Sequence, residues 1–125
     1  MGTKELFYTK DHEWIKHHQD SIYIIGITEY AAAQLGDIVY IDLPDPNNSI
    51  KQFEKLGEIE SVKAVSDIYS PISGKITEVN LELNDHPELI NDSSFEEGWL
   101  IKILIDNESE ISNLMNTQEY NSLIT

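Results

Sequence analysis

One lysine sits in a setting that could do chemistry. Around Lys63 the chain reads Glu58-Ile59-Glu60-Ser61-Val62-Lys63-Ala64-Val65-Ser66-Asp67. Apolar residues flank it on both sides, and the neighbouring residues favour extended backbone. A hairpin with its tip at Lys63 would hold the amine in water, where an enzyme could modify it. Taken alone, the string fits an ordinary surface lysine first, since an amine among carboxylates usually stays protonated and inert. Other candidates carry less. His12, His17 and His18 are close in sequence, but on a strand His12 and His18 share a face while His17 points away. No ordered zinc-ligand spacing is present, and all three read as solvated. Gly36-Asp37 follows a short helix where a phosphate cradle would open one. The serines form no nucleophile elbow. With 23 acids, chance pairs of carboxylates say nothing about acid–base catalysis. There is no cysteine, hence no disulfide framework and no thiolate metal site, and any redox chemistry must come from a group attached to the chain.

The elements that position Lys63 are short β runs rich in Ile, Val, Tyr and Leu. They cover 13–16, 21–27, 37–43, 57–62, 65–69, 75–81 and 99–105. Turn chemistry separates them at Pro44-Asp45-Pro46-Asn47-Asn48, Ser73-Gly74 and Asn84-Asp85-His86-Pro87. Thr28 is placed to N-cap a helix over 29–35, with Gly36 at its left-handed C-terminal end. Ile111, Leu114 and Met115 recur at helical spacing, followed by Tyr120, Leu123 and Ile124, with a break near Asn116-Thr117. Gly36–Leu43 echoes residues 74–81 at an offset of 38: glycine, isoleucine, an aliphatic residue and leucine coincide. Two related halves, or a coincidence between two strands, would give this match.

The 125 residues suit a single domain. Eight lysines, no arginine and 23 acids give a net charge of −15, and residues 64–125 hold 12 of the acids but only 2 of the lysines. Such a chain cannot neutralise phosphates, so nucleic acid is excluded as a partner, and an anionic membrane repels it. The acid excess keeps a small protein soluble and would also steer it toward basic patches on larger partners. No signal, transit or lipid-anchor pattern opens the chain, which predicts a cytoplasmic location in a bacterium. A mature organellar form would look the same.

The wider frame of Lys63 is more specific. Glu60 stands three residues before it, Gly74 eleven after it, and Ser70-Pro71-Ile72-Ser73-Gly74 closes the second strand. This pattern resembles lipoyl-bearing domains, in which lipoic acid is amide-linked to a hairpin lysine. Biotin-bearing domains usually place Met on both sides, where this chain has Val62 and Ala64. Further strings stand in order: DHEW at 11–14, GITEYAAAQLGDIVYIDLP at 26–44, YSPISGKITEVN at 69–80, HPELIN at 86–91, EGWLIKI at 97–103 and EY at 119–120. Together they make the chain similar to the glycine cleavage H-protein family from near Leu6 to Tyr120. The family often has Pro-Tyr where this chain has Ser94-Phe95, and Ser where it has Asp11.

The resemblance implies a mostly β fold: a flattened barrel-sandwich of two antiparallel sheets with short peripheral helices. It implies one lipoyl-carrier domain over 1–125, with a core at about 6–106 and a C-terminal helical segment at about 108–124. Lipoic acid would sit on Lys63, with Glu60 and Gly74 framing the modification motif. Glu13 and Asp67, with Asp11 as a local addition, would line the cleft for the aminomethyl arm. The chain would be a monomeric carrier and not an enzyme. Its partners would be a glycine decarboxylase (P protein), an aminomethyltransferase (T protein), a dihydrolipoyl dehydrogenase (L protein) and a lipoyl ligase or transferase. An H-like relay that donates lipoate to other enzymes is the alternative. A lipoyl module of a 2-oxoacid dehydrogenase would lack the HEW and EGW strings, and an unmodified binding module would leave Lys63 bare.

Overall fold

The β-branched runs form two antiparallel sheets in the computed structural model, which describes residues 5–125. The first joins β1 (Leu6–Tyr8), β2 (Glu13–Gln19), β3 (Ile22–Ile27), β5 (Ser49–Ile50), β8 (Gly74–Val79) and β9 (Ile101–Ile105), in the order β1-β2-β3-β9-β8-β5. The second joins β4 (Ile38–Asp42), β6 (Lys55–Ser61) and β7 (Val65–Tyr69), in the order β4-β6-β7. Each sheet keeps two edge strands, so the pair stack as an open sandwich and do not close into a barrel. The reading of the first residues as free of a leader or lipid anchor falls partly on 1–4, outside the described residues. None of the described helices is long and apolar enough to cross a membrane.

Isoleucine fills the space between the sheets. Ile15, Ile25, Ile76, Ile101 and Ile103 from the first meet Ile38, Ile41, Ile59 and Ile68 from the second in one buried cluster. A branched Cβ suits a pleated strand and packs well across such an interface. A second cluster lies on the far face of β1–β2, where Tyr8, Trp14 and Tyr120 pack with Phe95, Trp99 and Met115. Glu13, Trp14 and Ile15 are therefore buried in succession, because β2 is covered on both faces. Helix α1 (Glu29–Leu35) has the expected limits, with the Thr28 hydroxyl accepting from the Ala31 N–H and Gly36 at a φ of 79°. A short α2 (Leu89–Asp92) follows β8, and α3 (Thr117–Ile124) closes the chain behind a capping box between Asn116 and Glu119.

The expected break at Asn116-Thr117 is where α3 starts. The segment before it differs from the expectation: Glu108–Asn113 is a 3₁₀ turn, and Met115 is extended and bridges Tyr8. The strand expected over 99–105 starts only at Ile101. The internal echo reaches further than its sequence. Both β4 and β8 carry a register irregularity, between Ile38 and Tyr40 in one and between Ile76 and Glu78 in the other. These are equivalent places in the repeat, one in each sheet.

The two echo glycines do different work. Gly36 ends α1 in the left-handed region. Gly74 lies between β5 and β9, where an added Cβ would stand 2.3 Å from the Leu104 carbonyl oxygen and 2.9 Å from Ile103 Cγ1. Backbone on the neighbouring strand cannot step aside cheaply. Gly74→Ala is expected to lower the unfolding free energy by about 1–3 kcal/mol, read from urea denaturation. A wild-type midpoint would show that β8 and β9 can separate without loss.

Candidate functional site

Strands β6 and β7 form the hairpin that carries Lys63. Their register runs from Lys55 opposite Tyr69 to Glu60 opposite Val65. At the tip, the Ser61 N–H donates to the Ala64 carbonyl at 2.8 Å. The Ser61 hydroxyl accepts from the amides of Lys63 at 3.3 Å and Ala64 at 3.1 Å, so one side chain satisfies both turn donors. Val62, Lys63 and Ala64 are all exposed. The Val62 N–H donates to the Asp37 carbonyl at 3.0 Å, which ties the tip to the segment between α1 and β4. The lysine stem crosses Gly36: a Cβ there would stand 3.5 Å from Lys63 Cε and 3.9 Å from Nζ. Those are ordinary contact distances, so it is the φ of 79° and not the lysine that calls for glycine here.

Glu60 projects from the outer face of β6, in register with Tyr40 and Val65. The next row holds Asp42, Glu58 and Asp67, and Lys55 bridges Glu58 at 2.6 Å and Asp67 at 3.2 Å. Those two carboxylates raise the pKa of Lys55. Four exposed apolar side chains, Val39, Tyr40, Val62 and Val65, belong to the same outer face and tip. The irregularity in β4 turns both Val39 and Tyr40 outward. The amine is thus presented beside an apolar patch among acids.

A cleft of about 440 Å³ opens between the Lys10–His12 turn and β7, bounded by Asp11, His12, Val65, Asp67 and Tyr69. Asp67 and Asp11 are exposed along it. Glu13 is not: it is 2% exposed, and its carboxylate accepts from the Thr9 hydroxyl and from the Tyr69 N–H at 3.0 Å. It joins β2 to β7, one sheet to the other, beneath the cleft wall. Burial pushes its pKa up to about 7, opposed by the Thr9 and Tyr69 hydrogen bonds. The structure therefore brings Asp11 and Asp67 to one cleft, sets Glu13 behind it, and leaves Gly74 in the opposite sheet. A larger hollow of about 550 Å³, between Phe7, Tyr23 and the Glu108–Asn113 turn, is lined by none of Asp11, Glu13, Glu60, Lys63, Asp67 and Gly74.

His12 departs from the expectation of a solvated side chain. It precedes β2 at a φ of 73°, and its ring is half-buried against Tyr30 and Tyr120. Its Nδ1 lies 2.8 Å from Tyr120 Oη, which lies 2.7 Å from Thr28 Oγ1. Burial lowers its pKa, partly offset by Asp11. His17 is exposed as expected, 2.8 Å from the Asp20 carbonyl oxygen. Among the described residues no group of three or more His, Cys, Asp or Glu could hold a metal ion. The Ser94-Phe95 departure is absorbed locally. Phe95 packs on Trp14, the Ser94 carbonyl accepts from the Trp14 indole at 3.1 Å, and the Ser94 hydroxyl bonds the Ile90 carbonyl at 2.6 Å. A side-chain bond thus constrains this turn.

One residue with no role in the sequence reading clasps the segment Gly36–Ile38, over which the Lys63 stem lies. Asn91, on α2, donates from Nδ2 to the Gly36 carbonyl at 2.8 Å and accepts at Oδ1 from the Ile38 N–H at 3.0 Å. HPELIN identified a family string but gave no hint of this clasp, whose partners lie more than fifty residues earlier.

The arrangement offers an exposed lysine at a tied hairpin tip, with a cleft holding Asp11 and Asp67 along β7 of the same hairpin, suited to bearing an attached group. Comparison with known proteins agrees. Residues 6–125 match the family described as Glycine cleavage H-protein. The glycine cleavage system H protein of Staphylococcus carnosus is 44% identical over 97% of this chain and 95% of its own length. That of Staphylococcus saprophyticus is also 44% identical, over 96% and 94%. The crystal structure of a glycine cleavage system H protein from Mycobacterium marinum superposes with a TM-score of 0.84 at 33% identity, covering 97% of both chains. On sequence and fold alike, the chain belongs to the glycine cleavage H-protein family, the lipoyl-carrier component of glycine cleavage.

Proposed function

We propose that this chain carries lipoate in amide linkage on Lys63 and shuttles between the enzymes of glycine cleavage. It takes the aminomethyl group from a glycine decarboxylase to an aminomethyltransferase, and electrons to a dihydrolipoyl dehydrogenase. The observation behind this reading is the placement of Lys63: exposed, at the apex of a hairpin whose tip is tied to Asp37, in a chain of this family. The lipoyl dithiolane supplies the redox and group-carrying chemistry when attached. The protein supplies position, reach and shelter. Tethering makes each visit to a partner intramolecular at high effective concentration.

Attachment requires Lys63 Nζ to bond the carboxyl carbon of an activated lipoyl adenylate, with AMP leaving and the amine proton passing to water. Glu60, on the open face three residues before the lysine, marks the hairpin for the ligase, and Gly74 keeps β8 close to β9 in the six-stranded sheet that backs the hairpin. Asp67 and Asp11 offer carboxylates to a cationic amine, while Glu13 holds β7 in place behind them. The proposed working form is a monomer built as one domain, in the cytoplasm of a bacterium.

Incubation with lipoate, ATP and a lipoate–protein ligase is expected to raise the intact mass by one lipoyl group. Peptide mapping should place that group on Lys63, with Lys55 and Lys75 unmodified. Modification elsewhere, or none with a ligase active on another acceptor, would remove this reading.

A further inference from the structure

We propose that Asn91 is a positioning residue for Lys63, acting through the backbone strap Gly36–Ile38. The inference rests on Lys63 being the modified lysine. Asn91 holds the strap on both sides of Asp37, through the Gly36 carbonyl at 2.8 Å and the Ile38 N–H at 3.0 Å. Asp37 in turn accepts the Val62 N–H at 3.0 Å, one rung beyond the Ile38–Ser61 pairing of β4 with β6. The lysine stem lies across Gly36. One side chain, on a different element, thus fixes both the surface under the stem and the last rung under the tip.

The strap needs such a clasp. Gly36 sits at a φ of 79° and is the most permissive residue in the segment. The irregularity that follows Ile38 takes its backbone out of the regular ladder. Without Asn91, the Gly36 carbonyl and the Ile38 N–H turn to water, the strap samples other conformations, and the Val62 rung frays. An enzyme that needs one placement of Nζ then meets a diluted population. Its apparent affinity falls by the competent fraction, with turnover unchanged once bound.

The test measures ligase kinetics with the full chain as substrate, alongside amide hydrogen exchange on the free chain. Asn91→Ala is expected to raise the KM for the chain roughly 5- to 10-fold while kcat moves by less than about 2-fold. Asn80→Ala is the matched control. Asn80 is buried, and its Nδ2 holds two carbonyls, Glu97 at 2.9 Å and Trp99 at 2.8 Å, away from the strap. It loses as many backbone bonds and should leave KM unchanged. Asn91→Asp keeps the shape and the bond from Ile38 but sets a carboxylate oxygen against the Gly36 carbonyl. It should raise KM as well, and speed exchange at Val62 while Ile59 and Ile103 stay protected. An unchanged KM in a folded Asn91 variant, an equal rise with Asn80→Ala, or wild-type protection of Val62 in Asn91→Asp overturns the proposal. A wild-type chain never lipoylated at Lys63 removes the functional reading instead, and the exchange measurement, which needs no ligase, still decides the role of Asn91.

Discussion

Lys63→Arg is expected to abolish the exchange of bicarbonate carbon into glycine that the lipoylated wild type supports with its cognate decarboxylase. A guanidinium is protonated at every accessible pH and has no lone pair to bond an acyl carbon. The positive charge at the tip is kept, and the side chain there is exposed. Stability should therefore stay within about 0.5 kcal/mol of wild type, measured by urea denaturation. Exchange that survives in Lys63→Arg would place the working group elsewhere. A fully lipoylated wild type that the decarboxylase cannot load would point to the relay function, and loading by a 2-oxoacid dehydrogenase to the other lipoyl class.

The second large effect concerns Glu13. Its carboxyl titrates at about 7 in the fold, against 4.5 as the ordinary value. Below pH 4.5 both states bind the proton and the residue costs nothing by ionisation. Between 4.5 and 7 the unfolded chain ionises first, so the native state binds more protons and stability falls as pH rises. Above 7 both are ionised and the loss, on the order of 3 kcal/mol, is complete. Glu13→Gln removes the titration while keeping both hydrogen bonds: the amide oxygen accepts from the Tyr69 N–H, and the amide nitrogen donates to the Thr9 hydroxyl. The variant is expected to be about 3 kcal/mol more favoured, relative to wild type, at pH 8 than at pH 4.5. Comparing the two proteins cancels the remaining carboxylates. A difference that does not change with pH would mean that the carboxyl titrates normally. An acid kept under such a penalty, directly behind the cleft beside Lys63, fits a site whose wall answers to charge.

The parts of the fold that the sequence makes legible are those whose determinants are close together. Residues 22–27 are Ile and Tyr but for Gly26, and the strand 65–69 ends at the turn residues Ser70-Pro71, so those strands have nearly their expected limits. Thr28 and Gly36 bracket α1 directly. Leu6–Tyr8 and Ser49–Ile50 are too short to show any alternation, and they exist because a neighbouring strand offers them a ladder. Side-chain environments set from far away are illegible. Glu13 reads as a cleft acid, but Tyr69, 56 positions on, turns it inward. His12 reads as solvated until Tyr120, 108 positions on, covers it. Lys63 itself stands out only through strings spread over the whole chain; its own ten residues fit any exposed lysine.

The place of β9 sets an order of assembly. It is the last strand to be synthesised, yet it lies inside its sheet, between β3 and β8. The sheet that bears Lys63 draws on residues 38–69 and joins neighbours in sequence, while the six-stranded sheet stays split until residues 101–105 have left the ribosome. Closing it brings Ile25 against Ile101 from opposite ends of the sequence, a pairing that waits on a long loop closure. A nascent chain stalled before Ile101 exposes two open strand edges, the kind that pair with other chains. One that has exposed residues 101–105 has every described strand. Lipoylation that needs the finished sandwich therefore waits on β9, the strand that closes the six-stranded sheet.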